Sequence, residues 1–237
     1  MIKAISHGRL MQTLRHQLIV SCQAEPNEPL GKPAFLAAMA QAAVKGGAKG
    51  IRACQPHNIR AIRSVVDVPV IGISKKHFRS SPVYITPTLS EAERIARSGA
   101  SIIAMDATAR PRPGKLSLKQ IVQRLLTDWQ IALMADVSTL DEGLRAAELG
   151  FNLIGTTLSG YTESSPAGDP YLPDVRLVER LVHHLNGAVP VIAEGRIWEP
   201  HQVQMMFEAG AYAVVIGSAI TRPWLITERF IRALPPR

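Results

Sequence analysis

Eight short aliphatic runs, each followed by a stretch with helical spacing, predict an α/β chain folded as a single (β/α)8 barrel. The runs lack strict polar alternation, as strands covered on both faces do. The stretches between them keep apolar residues at helix period and close on glycine. Eight such units fit 237 residues as one domain over positions 1–237. A doubly wound sheet is the runner-up, but no G-x-G-x-x-G follows the first strand and no G-x-x-x-x-G-K-[ST] occurs. No compositional shift or Pro/Ser linker divides the chain.

In chain order, LIVSC (18–22) is the first strand. The segment before it has scattered charges and no continuous apolar core, which argues against a secretory signal. The helix PAFLAAMAQAAVKGGA leads to GIRA (50–53), and VPVIGI (68–73) runs through Ser74 into two lysines, Lys75 and Lys76. VYITP (83–87) would make a ninth strand. Its proline and its place between the third strand and that strand's helix mark it as a local excursion in the loop. TLSEAERIARSGA, capped by Thr88 or Ser90, precedes SIIAMD (101–106), and the Pro-rich ARPRPGK (109–115) is a βα loop. IALMADV (131–137) feeds STLDEGLRAAELG, capped by Ser138 or Thr139, and then FNLIGTT (151–157). Asp174 caps the next helix; VPVIAEG (189–195), the helix EPHQVQMMFEAGA and AYAVVIG (211–217) complete the eight units.

With 46% hydrophobic, 19% charged and 5% aromatic residues, the chain reads as globular and aliphatic-rich. No apolar run approaches the ~18 residues of a membrane span. Two cysteines, Cys22 and Cys54, form no disulfide framework and no C-x-x-C, so a reducing cytoplasm is the default location. The net charge of +8 raises nucleic-acid binding. The basic residues are dispersed, however, and the few aromatics are mostly not interleaved with them. No nucleic-acid partner is therefore expected; attraction of an anionic metabolite explains the charge.

A barrel gathers the C-terminal ends of its strands at one mouth, where chemistry is done. The predicted ends carry Gln23, Arg52, Lys75, Asp106, Asp136, the Thr156–Thr157 pair, Glu194 and Ser218. One polar residue at a strand exit is ordinary, whereas eight at the same end mark a site, some of them serving as salt-bridge partners. A lysine near carboxylates in a partly dry pocket can act as general acid/base or as Schiff-base nucleophile. Gly195, Gly217 and Ser218 follow the last two strands, where backbone N–H groups of barrels often receive phosphate, and Arg222 can add a guanidinium fork. The histidines show no H-E-x-x-H or comparable spacing, so no metal is expected. His183 and His184 read as surface residues, and Cys22 as a small buried thiol. Met205, Met206 and Phe207 read as packing a helix against the barrel or a second subunit.

Quoted together, SCQA, DATARPRP, GTTLSGYT and AEGRI, with YITPTLSEAERIARSGASIIAMD and VVIGSAITRP, resemble the N-acetylmannosamine-6-phosphate 2-epimerase family of sialic-acid catabolism. The similarity runs from about Ser21 to Pro223. It implies a TIM barrel of the ribulose-phosphate-binding type that interconverts N-acetylmannosamine 6-phosphate and N-acetylglucosamine 6-phosphate. The resemblance also implies no redox or metal cofactor, and family habit suggests a homodimer. By the same resemblance Lys75 is the acid/base at C2 and Glu194 its catalytic companion. Gln23, Arg52 and Asp136 would line the sugar site; Gly195, Gly217, Ser218 and Arg222 would hold phosphate, and Arg196 of AEGRI joins the substrate-binding set. Lys75 would then point into the mouth and Lys76 toward the rim. This chain reads GISK where the family usually reads GIIK, a change that leaves the lysine in place. The implied chemistry is proton abstraction α to the carbonyl of the opened sugar by a neutral Lys75. The rival is a lysine Schiff-base aldolase acting on a phosphorylated sugar.

Overall fold

The computed structural model describes residues 7–235 apart from positions 26, 167 and 170. Eight parallel strands close a barrel: β1 (Leu18–Cys22), β2 (Gly50–Cys54), β3 (Val70–Ile73), β4 (Ile102–Asp106), β5 (Ala132–Asp136), β6 (Leu153–Gly155), β9 (Val191–Glu194) and β10 (Ala213–Ile216). Strands β7 (Tyr161–Thr162) and β8 (Ser165–Pro166) form a small antiparallel hairpin in the loop after β6. Around the barrel the order is β1-β10-β9-β6-β5-β4-β3-β2, so the first and last barrel strands are neighbours. The eight predicted strands are all present. Several are a residue or two shorter than their apolar runs, as where 131–137 becomes Ala132–Asp136.

The outer layer consists of α2 (Pro33–Lys45), α3 (Pro56–Arg63), α4 (Leu89–Ala96), α5 (Leu118–Arg124) with a π turn to Trp129, α6 (Leu140–Glu148), α7 (Val175–Leu185) and α8 (Pro200–Glu208). After β10 come a single turn, α9 (Ser218–Thr221), and α10 (Pro223–Arg232). Thr139, not Ser138, caps α6, in a reciprocal capping box with Glu142. Asp174 caps α7 by accepting from Leu177 N, and Thr88 stands at the start of α4. On α8, Met206 is buried as expected, whereas Met205 turns to the exposed side.

Strand parity divides the apolar residues into two shells. In β5, Leu133 and Ala135 pack outward under the helices, while Ala132 and Met134 point into the barrel. In β4, Ile103 and Met105 pack outward, and Ile102 and Ala104 inward. Gly72 is required by this packing: a Cβ there would lie 2.5 Å from Ile95 Cγ2 and 2.8 Å from Ala100 Cβ.

The floor of the barrel is closed by α1 (His7–Leu14), a helix that the scattered charges of the N-terminus conceal. Leu10 and Leu14, four positions apart and so on one helical face, insert among Ile19, Ile71 and Ile102. Tyr212 donates its hydroxyl to the Met11 carbonyl at 2.8 Å, and His16 N donates to the Tyr212 carbonyl.

The segment 83–87 is the local excursion predicted for it. Strands β3 and β4 pair at Ile71↔Ile102 and Gly72↔Ile103, then separate toward the mouth. The excursion fills the opening: Ile85 bridges antiparallel to Lys75, and its carbonyl accepts from Asp106 N. In this way the excursion borders the mouth beside Lys75.

Candidate active site

Above the apolar layers, the inward parity of the strands continues into polar side chains. Ser21 and Gln23 follow Ile19, Arg52 points inward from the middle of β2, and Lys75 follows Ile73. Glu194 follows Ile192, and Thr157 follows Leu153 and Gly155. Parity therefore separates the threonine pair. Thr157 faces the mouth, whereas Thr156 Oγ1 bonds the backbone of Glu194 and locks β6 to β9.

A cavity of about 460 Å³ opens at this end. Gln23, Arg52, Lys75 and Glu194 line it, as do Gly195, Arg196, Gly217, Ser218 and Arg222. Asp136, expected on the sugar-facing wall, stays out of the lining, as do Asp106 and Thr156. Asp136 is fully buried and paired with Arg52, which stands between it and the cavity.

Arg52 organises the centre. Its Nη1 donates to Asp136 Oδ1 at 3.0 Å and to Glu194 Oε2 at 2.9 Å, while Nη2 donates to Asp136 Oδ2 at 2.6 Å. Thr157 Oγ1 lies 2.7 Å from Asp136 Oδ1 and 3.2 Å from Glu194 Oε2, and its single proton is available to either carboxylate. Arg52 is 1% exposed and Asp136 0%, so a planar guanidinium with a bidentate partner suits a site where an ammonium would be poorly solvated. Burial alone would disfavour the Arg52 cation, but Asp136 and Glu194 outweigh it and raise its pKa.

Glu194 is 13% exposed and reaches the cavity. Its pKa is pushed up to about 7, first by burial and then by the neighbouring Asp136 carboxylate, against the opposing pull of Arg52. The folded chain therefore binds a proton at Glu194 that the unfolded chain releases near the ordinary glutamate value of ~4.3. The associated stability is complete below that value and is lost as pH rises through about 7. Glu194→Gln removes this titration. The melting temperature of the wild type relative to that of Glu194→Gln is expected to fall as pH is raised from ~4.5 to ~7.5, measured by thermal denaturation in matched buffers. A constant difference over that range would refute the assignment.

Lys75 follows β3 and Glu194 ends β9, strands four places apart in a ring of eight, and thus on opposite sides of the mouth. Lys75 Nζ lies 3.6 Å from Glu25 Oε1, a partner on the exposed loop after β1 that strand-end reading does not reach. Lys76 turns outward as expected, its Nζ donating to Glu91 at 3.0 Å.

After β9 and β10, Gly195 adopts φ +115°, a conformation that favours glycine, and Gly217 and Ser218 begin α9. Arg222 Nη1 is 3.9 Å from Glu28 Oε1. Arg196 lines the cavity, but its guanidinium is engaged elsewhere: Nε donates to the Leu172 carbonyl at 2.7 Å and Nη1 to the Ser159 carbonyl, above the Tyr161 ring. These two bonds tie the β9 loop to the long loop after β6. Asp106, also at a strand end, is held by Thr108 and by Arg110 at 2.6 Å and lies outside the cavity lining. Tyr84 of the excursion and Trp198 line the cavity as well, and neither is a strand-end residue.

The family model described as "Putative N-acetylmannosamine-6-phosphate epimerase" matches residues 36–235. The chain belongs to this family. A relative from Caldanaerobacter subterraneus subsp. tengcongensis, named as an N-acetylmannosamine-6-phosphate 2-epimerase of putative function, is 48% identical over 229 residues, which span 96% of this chain and 95% of the relative. One from Clostridioides difficile bearing the same name is 44% identical, with 95% and 99% covered. The solved N-acetylmannosamine-6-phosphate 2-epimerase from Clostridium perfringens superposes with a TM-score of 0.92 at 40% identity, covering 97% of this chain and 98% of that one. A thiamine phosphate pyrophosphorylase from Pyrococcus furiosus, at 15% identity and a TM-score of 0.58, shares the fold alone. Among the described residues, no helix is long and apolar enough to cross a membrane.

Proposed function

We propose that the chain is an epimerase that interconverts N-acetylmannosamine 6-phosphate and N-acetylglucosamine 6-phosphate in sialic-acid catabolism. Family membership supports the substrate. The observation that carries the mechanism is the pair of proton-transfer groups, Lys75 and Glu194, facing each other across one cavity. In the open-chain sugar, the aldehyde acidifies the C2 proton. The Lys75 amine takes that proton and becomes an ammonium, while the electron pair moves into the enolate. Glu194, held as the carboxylic acid below about pH 7, returns a proton to the opposite face of C2 and becomes a carboxylate. Proton exchange with solvent then resets the pair. The reverse reaction uses the same groups with roles exchanged.

Arg52 fixes Glu194 in position, and Asp136 fixes Arg52. Gly195, Gly217, Ser218 and Arg222 would receive the phosphate, supported by their place in the cavity lining after the neighbouring strands β9 and β10. The relatives are named as epimerases, which disfavours the Schiff-base aldolase. A cytoplasmic location and a homodimer complete the proposal; the exposed Phe230 and Ile231 on α10 support the homodimer.

The test is proton NMR of N-acetylmannosamine 6-phosphate with the protein in D₂O. Loss of the C2 proton signal together with growth of the gluco epimer is the expected result. Unchanged spectra would reject both substrate and reaction.

A further inference from the structure

The backbone that presents Lys75 is gripped from both sides by two residues in conformations that side chains rarely adopt. On the β2 side, Gln55 sits at φ +75°, ψ +139°, a region populated almost entirely by glycine. From there Nε2 donates to the Lys75 carbonyl at 2.9 Å, and Oε1 accepts from Ser74 Oγ at 3.3 Å. On the β4 side, Thr86 sits at φ +43°. Its backbone N donates to the Ser74 carbonyl at 2.6 Å, its Oγ1 accepts from Ser74 N at 3.2 Å, and the same hydroxyl donates to the Ala104 carbonyl at 2.6 Å. Lys76 N donates to the Tyr84 carbonyl at 3.0 Å.

A strand end normally frays once its ladder stops. Here β3 loses its pairing with β4 after Gly72, yet Ser74 N, Ser74 O, Lys75 O and Lys76 N all keep partners. Ser74 is buried and Thr86 fully so, which leaves the segment little freedom. Strained backbone persists where its surroundings over-determine it, and such positions cluster where geometry is functional. Neither Gln55 nor Thr86 lines the cavity, so neither touches a substrate held there. Ser74 adds its hydroxyl to the grip.

We infer that Gln55 and Thr86 are positioning residues for Lys75, acting through the backbone of Ser74 and Lys75 to aim the amine across the mouth. This rests on Lys75 being the base. The amine must reach C2 within hydrogen-bond range, and a displacement of about 1 Å in such a group can cost ~10² in rate without weakening substrate binding.

The test uses the full chain and follows kcat, KM and melting temperature with N-acetylmannosamine 6-phosphate. Gln55→Gly keeps a residue at ease at φ +75° but deletes the side-chain grip. It is expected to lower kcat about 10- to 100-fold with KM within about two-fold and with no loss of melting temperature. A purely structural residue would not separate activity from stability in that way. Thr86→Val is expected to lower kcat similarly, and Thr86→Ser, which keeps the hydroxyl, to restore it. Wild-type kcat in Gln55→Gly, an effect confined to KM, or a Thr86→Ser variant as slow as Thr86→Val would overturn the inference. Should Thr86→Val fail to fold, Gln55→Gly decides alone. Lys75→Ala distinguishes loss of the base from loss of its positioning. Full activity in that variant removes the base and its positioning residues together, whereas an inactive Lys75→Ala beside a fully active Gln55→Gly removes only the positioning role.

Discussion

Lys75→Ala is expected to lower kcat for epimerisation by at least 10²–10⁴-fold, the range that a positioned general base contributes. KM should change little, because the cavity keeps its other polar walls. The fold should hardly notice: the closest ionic partner of Lys75 is Glu25 at 3.6 Å, on an exposed loop, and such pairs are worth ~0–1 kcal/mol. The C2 exchange experiment in D₂O reads the result directly, with circular dichroism melting as the control. An inactive variant that melts with the wild type assigns the loss to proton transfer. Retained exchange would move the base to another residue.

Arg52→Ala is expected to produce the largest loss of stability. Removing the guanidinium leaves Asp136 and Glu194 buried side by side, with one threonine proton between them. Breaking a buried pair from one side costs about 3–5 kcal/mol, since the remaining charge is uncompensated. In a chain of this size that corresponds to roughly 6–20 °C in melting temperature. Arg52 also opposes the upward shift of the Glu194 pKa, so in its absence Glu194 holds its proton to higher pH. Arg52→Lys should not rescue the fold, because a point ammonium cannot replace a fork that meets Asp136 with both terminal nitrogens. Adding Asp136→Asn to Arg52→Ala should recover part of the loss, a coupling that a double-mutant cycle measures. Additive losses would mean that the pair is not the dominant interaction.

The barrel was legible because its signals are local: each strand declares itself by composition and each helix by period. The strand-end residues were legible for the same reason, since parity and the barrel rule bring Gln23, Arg52, Lys75 and Glu194 to one mouth. Depth was not. Asp136 and Glu194 look equivalent in sequence, and only the reach of Arg52 from β2 decides that one is covered while the other meets the cavity. The partners of Arg196 were hidden as well, because they are carbonyls on a loop remote in sequence. Gln55 and Thr86 carry no signal in sequence, because glutamine and threonine do not advertise positive φ. Nor did α1, whose two inward leucines are too few to stand out among charges.

That N-terminal helix sets a schedule for synthesis. Leu10 and Leu14 are buried beneath strands that include β10, and the Tyr212–Met11 hydrogen bond joins partners 201 positions apart. At ~5–20 residues per second, the ribosome takes roughly 10–40 s to supply the second half of that contact. Ile19, Ile71 and Ile102 are available to Leu10 and Leu14 early, but the edge of β1 that pairs with β10 stays open throughout that interval. Joining its ends and reopening the chain elsewhere would bring plug and last strand out together and shorten the exposure.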